Sequence, residues 1–265
     1  MGDLVLERGQ PVGRLLRQWR HRRRLSQLAL AVEADVSARH LSFVETGRST
    51  PSRELVLRLA DQLDVPLRER NALLLAAGYA PVYSHAPLGS PELGPVLDAV
   101  HRVLRAHEPY PAVAVDRHWD LVAGNAPLAL LTDGAAAHLL RPPVNALRLT
   151  LHPQGMAPRI TNLGQWRAHL LARLRRQAAL TGDAALAALH EELLGYPGPS
   201  APDPAPGPAD VVVPLRLRHD GGELRLLSTV STFGTPLDVT VEELSVESFF
   251  PADDATAARL RRTAG

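Results

Sequence analysis

The feature that most restricts the fold of this chain is a pair of short amphipathic segments at positions 26–45, SQLALAVEADVSARHLSFVE. A break in the apolar pattern separates the two segments. Apolar residues recur at helical spacing on both sides of the break, so each half is expected to form a short helix with one buried face. Ser26 and Ser37 stand where N-caps are needed, and Gly47 is expected to end the second helix. The two helices must pack together to bury Leu30, Ala31, Ala34, Val36, Leu41 and Val44.

Three further amphipathic segments surround this pair. They are predicted at residues 10–24, at SRELVLRLADQL from Ser52, and at PLRERNALLLAAG from Pro66, which Gly78 closes. Short helices with short loops pack into a compact all-α domain. Residues 1–80 are therefore expected to form a five-helix domain, followed by a linker at 81–90.

The remaining chain, residues 91–265, has a different pattern. A helix leads to two short apolar runs, PAVAVD and WDLVAGN, which predict a hairpin. Helices are expected around 163–180 and 183–194, then strands in VVVPLRLRH, ELRLLSTVSTF and DVTVEELSVESFF. The Pro-rich stretch 197–210 is expected to be a mobile loop. This order predicts an α+β domain with an antiparallel sheet.

Charge is distributed unevenly between these two parts. Residues 1–80 carry 13 arginines against nine acidic residues, a net charge of +4, whereas residues 81–265 carry 16 against 19, a net charge of −3. Six arginines fall in RLLRQWRHRRR at 14–24. A local basic segment on a near-neutral chain fits a nucleic-acid contact better than a membrane surface, although a solvated helix face is the alternative.

The basic segment and the helix pair together predict a helix-turn-helix, whose second helix enters the major groove of DNA. Arg39 faces outward and is able to donate two hydrogen bonds to a guanine; the alternative is a phosphate contact or a solvated charge. Phe43 either meets a thymine methyl or packs against the fourth helix. Arg48, Ser49 and the amides after Gly47 suit phosphate contacts. The candidate DNA-binding residues are Gln27, Ser37, Ala38, Arg39, His40, Ser42, Phe43, Arg48, Ser49 and Arg53.

Residues 10–78 resemble the Cro/cI-like (XRE-family) DNA-binding domain. The similarity includes the position of Gln27, the helix end from Leu41 through Glu45 to Gly47, Pro51-Ser52 and the Leu59-Ala60…Leu63 packing helix. Asp35 departs from the family, which usually has glycine in the turn. Because Asp tolerates a left-handed backbone better than most residues, we expect a small stability cost and an intact motif.

The rest of the chain, over residues 108–253, resembles the ligand-binding domain of MmyB-like bacterial regulators, a PAS-like sheet with flanking helices. The similar stretches are PAVAVDRHWDLVAGNAPLALL, NALRLTLHPQGMAPRITNLGQW and STVSTFGTPLDVTVEELSVESFFPAD. The resemblance implies a hydrophobic pocket for a small, fatty-acid-like effector. The predicted fold class is thus an all-α five-helix DNA-binding domain followed by an α+β PAS-like domain with an antiparallel sheet.

Candidate pocket residues each have a structural alternative. Trp119 also fits an ordinary core, and Asn125 fits an N-cap for the PLALL helix. Trp166, His169 and Arg173 share one helix face, which either lines a pocket with a charged end for a carboxylate or straddles core and solvent. Strand alternation places Thr229, Ser231 and Phe233 on one face, where hydroxyls suit an amphipathic pocket, but β-propensity also explains them.

Other classes of protein are disfavoured by the sequence. The chain has no cysteine, its 11 histidines form no HxH or HxxxH pair, and no nucleophile elbow, phosphate loop or paired acid motif is present. No cofactor, metal site or enzyme is therefore expected, which argues against an enzyme with a DNA-binding appendage. The absence of cysteine, a signal-peptide pattern and a long apolar run favours a cytoplasmic location. A homodimer on double-stranded operator DNA is expected, and a protein–protein interaction module of antitoxin or anti-regulator type is the alternative.

Overall fold

A computed structural model describes residues 11–199 and 212–263 of the protein. The chain forms two compact units. The first extends to Ala86 and includes Pro236–Glu242; the second contains Pro87–Thr235 and the chain from Glu243 onward. Most of the loop predicted at 197–210 lies outside the described residues.

Five helices form the N-terminal part of the first unit, which confirms the predicted all-α fold. They are α1 (Val12–Arg22), α2 (Gln27–Glu33), α3 (Ala38–Glu45), α4 (Arg53–Gln62) and α5 (Leu67–Ala76). Their apolar faces meet in one core, at whose centre leucines from every helix are fully buried: Leu16, Leu30, Leu41, Leu59 and Leu74. Asp35 has φ 50° in the turn between α2 and α3, as its left-handed prediction requires.

Helices α1 and α3 approach so closely that Gly13 has no space for a side chain. A Cβ built on Gly13 collides with the carbonyl oxygen of Val44 and lies 2.9 Å from the Cα of Glu45. The backbone of α3 cannot move away without opening the core. Glycine at position 13 therefore fixes the distance between α1 and the second helix of the motif.

We expect Gly13→Ala to lower the free energy of unfolding by about 1–3 kcal/mol, the usual cost of overpacking a core. Urea denaturation checks this, with amide exchange in α1 and α3 as the local readout. Gly94→Ala is the matched control, because a Cβ there meets no atom within 4 Å. A Gly13→Ala variant as stable as the control would show that α1 and α3 are not in contact.

The second unit contains the sheet and most of the remaining helices. Its α-helices are α6 (Gly94–Ala106), α7 (Ala129–Thr132), α8 (Ala146–Leu151), α9 (Leu163–Thr181), α10 (Ala184–Leu194) and α12 (Asp254–Thr263). Its strands are β1 (Ala112–Val115), β2 (Leu121–Gly124), β3 (Leu215–His219), β4 (Gly222–Thr232) and β5 (Ser245–Pro251). All neighbouring strands are antiparallel, in the order β2-β1-β5-β4-β3. The predicted antiparallel α+β domain is confirmed.

The two faces of this sheet bury different side chains. Val113 and Val115 of β1 belong to the large cluster that also contains residues of α8, α9 and α10. Ala112 and Ala114 point to the opposite face, where they join Val100 and Leu104 of α6. Because Ala112 and Ala114 are small, α6 packs close to the backbone of the sheet. The larger Val113 and Val115 contribute to the main core on the other face.

One predicted strand begins with a helix instead. The segment DVTVEE forms α11 (Val239–Glu242), which belongs to the first unit, and β5 starts only at Ser245. Asp238 Oδ1 accepts a hydrogen bond from the backbone N of Thr240 at 2.8 Å. This capping interaction turns the chain into a helix despite the β-branched residues that predicted a strand.

Candidate functional site

The turn between α2 and α3 presents the N-terminus of α3 on the surface. Ser26 and Ser37 cap the two helices, accepting hydrogen bonds from the backbone N of Ala29 at 3.0 Å and of His40 at 3.1 Å. Val36 N donates to Ala31 O at 2.9 Å and closes the turn. These hydrogen bonds fix the orientation of the first turn of α3 relative to α2.

The candidate DNA-binding residues differ in how far they are exposed. Ser37, Arg39, Arg48 and Arg53 are exposed, whereas the other six are half-buried: Gln27, Ala38, His40, Ser42, Phe43 and Ser49. Half-buried side chains still present polar edges or apolar surface to a ligand that covers them. All ten side chains are therefore at least partly accessible.

Phe43 lies between two guanidinium groups. The Cζ of Arg39 is 5.3 Å and the Cζ of Arg48 is 6.0 Å from the centre of its ring. Cation–π contacts of this length restrict the orientations of long arginine side chains. Phe43 thus brings the guanidinium groups of Arg39 and Arg48 to the same ring.

The loop after α3 offers side chains to a partner more readily than backbone amides. Gly47 has φ 73°, and the amides of Arg48 and Ser49 both donate to Phe43 O, at 2.8 and 3.1 Å. These two amides were predicted to suit phosphate contacts, but they already close the end of the helix. The predicted phosphate contacts of these two amides are therefore disfavoured, and the prediction for the side chains of Arg48 and Ser49 is unaffected.

A buried ion pair supports α3 from the inside. Arg20 donates to Glu45 through Nε at 2.7 Å and through Nη2 at 2.8 Å, and both side chains are almost fully buried. Gln27 Nε2 donates to Glu45 Oε2 at 2.8 Å. Burial acts to raise the pKa of Glu45, but the hydrogen bonds from Arg20 and Gln27 outweigh it and lower the pKa below its ordinary value. Glu45 therefore remains ionised and orients Gln27, a candidate DNA-binding residue at the start of α2.

The basic run at 14–24 has two roles. Arg20 is neutralised by Glu45, and Arg23 donates to Leu63 O and Asp64 O, both at 2.7 Å. These two arginines join α1 to other helices. Arg14, Arg17, Arg22 and Arg24 have exposed side chains that contribute positive charge to the surface.

The second unit contains an apolar cleft between one face of the sheet and the helices α8 and α9. Val113, Leu215 and Phe249 line it from the strands, and Leu147 and Leu170 line it from the helices. The cavity volume is about 50 Å³. The space is therefore small, and its lining is mostly apolar.

The candidate pocket residues divide around this cleft. Trp119 and Trp166 line it. His169 stacks on Trp166 with ring centres 5.5 Å apart, and Arg173 lies 4.3 Å over the ring of Trp119, so both stand behind the lining. Burial, and secondarily Arg173, lower the pKa of His169, so its imidazole is neutral at neutral pH.

The other four candidates lie outside the cleft lining. Asn125 is buried but links β1 to its surroundings, with Oδ1 accepting from Ala112 N at 2.9 Å and Nδ2 donating to Tyr110 O at 2.8 Å. Asn125 is the N-cap residue of the short 3-10 helix Ala126–Leu128, as predicted, but its side chain makes no capping hydrogen bond. Thr229 and Ser231 are exposed, and Phe233 packs on the α6 side of the sheet.

The cleft also contains an acidic residue that was not predicted from the sequence. Glu247 of β5 lines it, is only 7% exposed, and pairs with Arg173 Nη1 at 3.3 Å. Strand alternation could have indicated this residue, because it places Glu247 on the same face of β5 as Phe249. A carboxylate two positions from a buried ring on an apolar strand is rare without a partner or a function.

Two family models match the chain, and together they cover both units. A helix-turn-helix domain matches residues 11–73, which contain the whole of α1 to α4. The MmyB-like transcription regulator ligand binding domain matches residues 96–262, more than half of the chain. The chain belongs to the MmyB-like transcription regulators. It is thus a DNA-binding transcription regulator with a ligand-binding domain, as both sequence resemblances predicted.

Comparison with whole proteins adds little to this assignment. The structure titled "Structure of an RNA-binding Light-Oxygen-Voltage Receptor" matches 96% of this regulator at 15% sequence identity, with a TM-score of 0.29. The regulator spans 62% of the length of that chain. A search of curated proteins gave no significant match. Functional conclusions rest on the two domain families and on the geometry of the sites.

No helix among residues 11–199 and 212–263 is long and apolar enough to cross a membrane.

A polar cluster joins the β1–β2 turn of the regulator to the start of α10. Asp183 caps α10 by accepting from Ala185 N at 2.8 Å, and its Oδ2 lies 3.2 Å from both Arg117 Nη2 and His118 Nε2. The hydrogen bond with His118 lowers the pKa of Asp183 most; burial opposes this and Arg117 adds to it, giving a pKa of about 2. The ionised side chain of Asp183 thus links the β1–β2 turn to the N-terminus of α10.

Because the folded-state pKa of Asp183 is depressed, its contribution to stability is present above about pH 4 and is lost as the pH falls towards 2. We expect Asp183→Asn to cost about 1–2 kcal/mol at pH 7 and almost nothing near pH 2. Asparagine still caps α10, so the comparison isolates the charge. Urea midpoints of both proteins from pH 7 to pH 2 measure the effect; a gap that is independent of pH would contradict it.

Proposed function

We propose that this regulator reads double-stranded operator DNA with the N-terminal half of α3, as a homodimer in the cytoplasm. The observation that carries this proposal is the exposed pair of Arg39 and Arg48, grouped by Phe43 on a helix that the buried Arg20–Glu45 pair holds in place. Fixed, exposed arginines are what bidentate recognition of guanine and phosphate contacts need.

We expect a dimer because a single recognition helix specifies only a short DNA sequence. A single helix-turn-helix contacts few bases, and two half-sites about one turn apart multiply the specificity. The test selects bound sequences from random duplex DNA. We expect a recovered site with two-fold symmetry and a binding constant that falls steeply with salt. A protein–protein interaction module would show no measurable duplex binding.

We further propose that the cleft of the second unit binds a small hydrophobic, fatty-acid-like effector. Its lining is mostly apolar, which suits the hydrocarbon part of such an effector. Native mass spectrometry of the freshly purified protein, compared with its denatured mass, tests both points. A dimer with an extra mass of a few hundred daltons per subunit supports them; a bare monomer contradicts the dimer and offers no support for a retained effector.

The connection between β4 and β5 provides a route from the cleft to the DNA-binding unit. Glu247 and Phe249 of β5 line the cleft, whereas Pro236–Glu242, which precedes β5 in the chain, belongs to the first unit. There, Glu242 Oε2 accepts from Leu67 N at the start of α5, at 2.8 Å. An effector that moves β5 therefore acts on a segment attached to the helical unit, provided that its affinity differs between the two arrangements.

Glu242→Ala tests this route. We expect it to reduce the difference in operator affinity between the protein as purified and the protein freed of bound small molecules. Glu242→Gln keeps an acceptor for Leu67 N and is the matched control, expected to retain most of that difference. An unchanged difference in the alanine variant would exclude the contact as the route.

A further inference from the structure

A second cavity of the second unit lies at the turn between β3 and β4. Its volume is about 550 Å³, which is enough for a small molecule. Apart from two glycines, the residues that line it are polar or charged: Asp133, Arg159, Arg218, His219, Asp220 and Glu223. None of these residues lines the apolar cleft, so the cavity is a distinct site.

Two arginines on the wall of this cavity are anchored through backbone carbonyl groups. Arg159 Nε donates to Arg218 O at 3.3 Å, and Arg218 Nη2 donates to Pro158 O at 2.8 Å. Arg159 also binds carbonyls at the end of α7, with Nη1 donating to Asp133 O at 2.6 Å and Nη2 to Leu130 O at 2.9 Å. These hydrogen bonds restrict both guanidinium groups before any ligand arrives.

The positive charges of these arginines lack a counter-ion in the structure. Neither Arg159 nor Arg218 forms an ion pair with a residue in the ranges 11–199 and 212–263, since the hydrogen bonds of both go to neutral carbonyls. Glu223 lines the same cavity, but its Oε1 pairs with Arg216 Nη2 at 2.9 Å. Neighbouring like charges repel, and an anion between them relieves the repulsion. A phosphate group suits this position, because its oxygens match the fork of donors on a guanidinium.

The cavity also offers hydrogen-bond acceptors. Asp133 lines it, is exposed, and forms no ion pair with a described residue. Asp220 lies in the β3–β4 turn, with Oδ2 at 3.2 Å from His219 Nε2. An ionised carboxylate only accepts hydrogen bonds, so it fits a ligand hydroxyl, which donates. The lining therefore combines cations for a phosphate with acceptors for hydroxyl groups.

We propose that this cavity is a second small-molecule site of the regulator, for a phosphate monoester of a polyhydroxy compound such as a sugar phosphate. Arg159 and Arg218 bind the phosphate, and Asp133 and Asp220 accept hydrogen bonds from hydroxyl groups. The inference goes beyond the proposed function, because it involves neither the DNA-binding helix nor the apolar cleft.

The test compares ribose 5-phosphate, ribose and inorganic phosphate. Each is titrated calorimetrically into the full-length protein at pH 7.5 and low salt. We expect ribose 5-phosphate to bind about tenfold more tightly than inorganic phosphate, and ribose not to bind measurably, because only the ester engages both sets of groups. Equal affinity for the two phosphate compounds would overturn the role of the carboxylates. If neither phosphate compound binds, the site itself is overturned.

Two substitutions assign the binding to the named side chains. Arg218→Gln is expected to weaken ribose 5-phosphate binding by about 10- to 100-fold, the effect of losing charge-assisted hydrogen bonds. Arg175→Gln, at an exposed arginine of α9 outside the cavity, is the control and leaves the affinity unchanged. Asp133→Ala is expected to weaken ribose 5-phosphate binding by about 3- to 10-fold and to tighten inorganic phosphate binding, because it removes both an acceptor and a negative charge.

Unchanged affinity for ribose 5-phosphate in Arg218→Gln would overturn the proposal. Should that variant fail to fold, Asp133→Ala decides, since only a site in this cavity makes the two phosphate compounds respond in opposite directions.

Random duplex DNA distinguishes a small-molecule site from a contact with the DNA backbone. We expect Arg218→Gln to leave both the affinity for random duplex DNA and its salt dependence unchanged. A loss of DNA affinity in this variant, with no binding of ribose 5-phosphate to the native protein, would assign Arg218 to a DNA contact and overturn the proposal.

Discussion

Replacing Arg20 by methionine is expected to remove about 3–5 kcal/mol from the stability of the helical unit, because it leaves Glu45 as an uncompensated buried charge. The side chain of Glu45 is 1% exposed and accepts two hydrogen bonds from Arg20, at 2.7 and 2.8 Å. A loss of that size is a large part of the 5–15 kcal/mol that stabilises a typical domain. Operator binding should be lost with the fold of the motif.

The matched control is Arg17→Met, one turn earlier on α1, where the side chain is exposed. We expect it to change the stability by less than about 0.5 kcal/mol. Urea denaturation followed by amide exchange in α1 and α3 separates the first unit from the second. Equal effects of the two substitutions would mean that the ion pair contributes nothing beyond a surface charge.

A double variant, Arg20→Met with Glu45→Leu, separates the cost of the orphaned charge from the value of the pair. Apolar replacements of a whole buried pair are often neutral or stabilising, so we expect most of the loss to be recovered. Gln27 would then lose its partner Glu45 Oε2 and its fixed orientation. A stable double variant with weakened binding to all DNA sequences would assign the pair a positioning role for Gln27.

Arg39→Ala is expected to weaken binding to the selected operator by about 10- to 100-fold, the effect of removing one bidentate contact to a base. Binding to random duplex DNA should fall much less. Arg39 is exposed at the first turn of α3, and its guanidinium lies 5.3 Å from the ring of Phe43. Fluorescence anisotropy with both DNAs at several salt concentrations measures the two affinities.

Arg48→Ala provides the contrasting pattern. As a phosphate contact, Arg48 should contribute equally to operator and random DNA, and its removal should flatten the salt dependence by about one unit of slope. Arg58→Ala, an exposed arginine of α4 outside the candidate interface, controls for loss of charge alone. Equal losses on both DNAs for Arg39→Ala would remove Arg39 from base recognition.

Local signals in the sequence were sufficient for most helix boundaries. The caps at Ser26 and Ser37 form as predicted, and Gly47 and Gly78 take the left-handed backbone that ends α3 and α5. Each of these interactions acts within three or four residues, so its partners are visible in the sequence. The strand prediction over DVTVEE failed because one short-range cap from Asp238 outweighed β-propensity.

Groups distant in the sequence were decided only by the tertiary structure. Arg20 and Glu45 are 25 residues apart, and the basic run gave no sign that one of its arginines is buried. Of the predicted pocket residues, Trp119 and Trp166 line the cleft, whereas Thr229 and Ser231 are exposed on the surface. Glu247 also lines the cleft and was not predicted.

By itself, the sequence determined the helix-turn-helix, the antiparallel α+β domain and the family, because apolar period, caps and turn residues are local and repeat along the chain. Only the tertiary structure decided which charges are buried, which of them form pairs and where the cleft lies. Burial and pairing depend on side chains brought together from distant elements, and no periodicity in one segment specifies its partner in another.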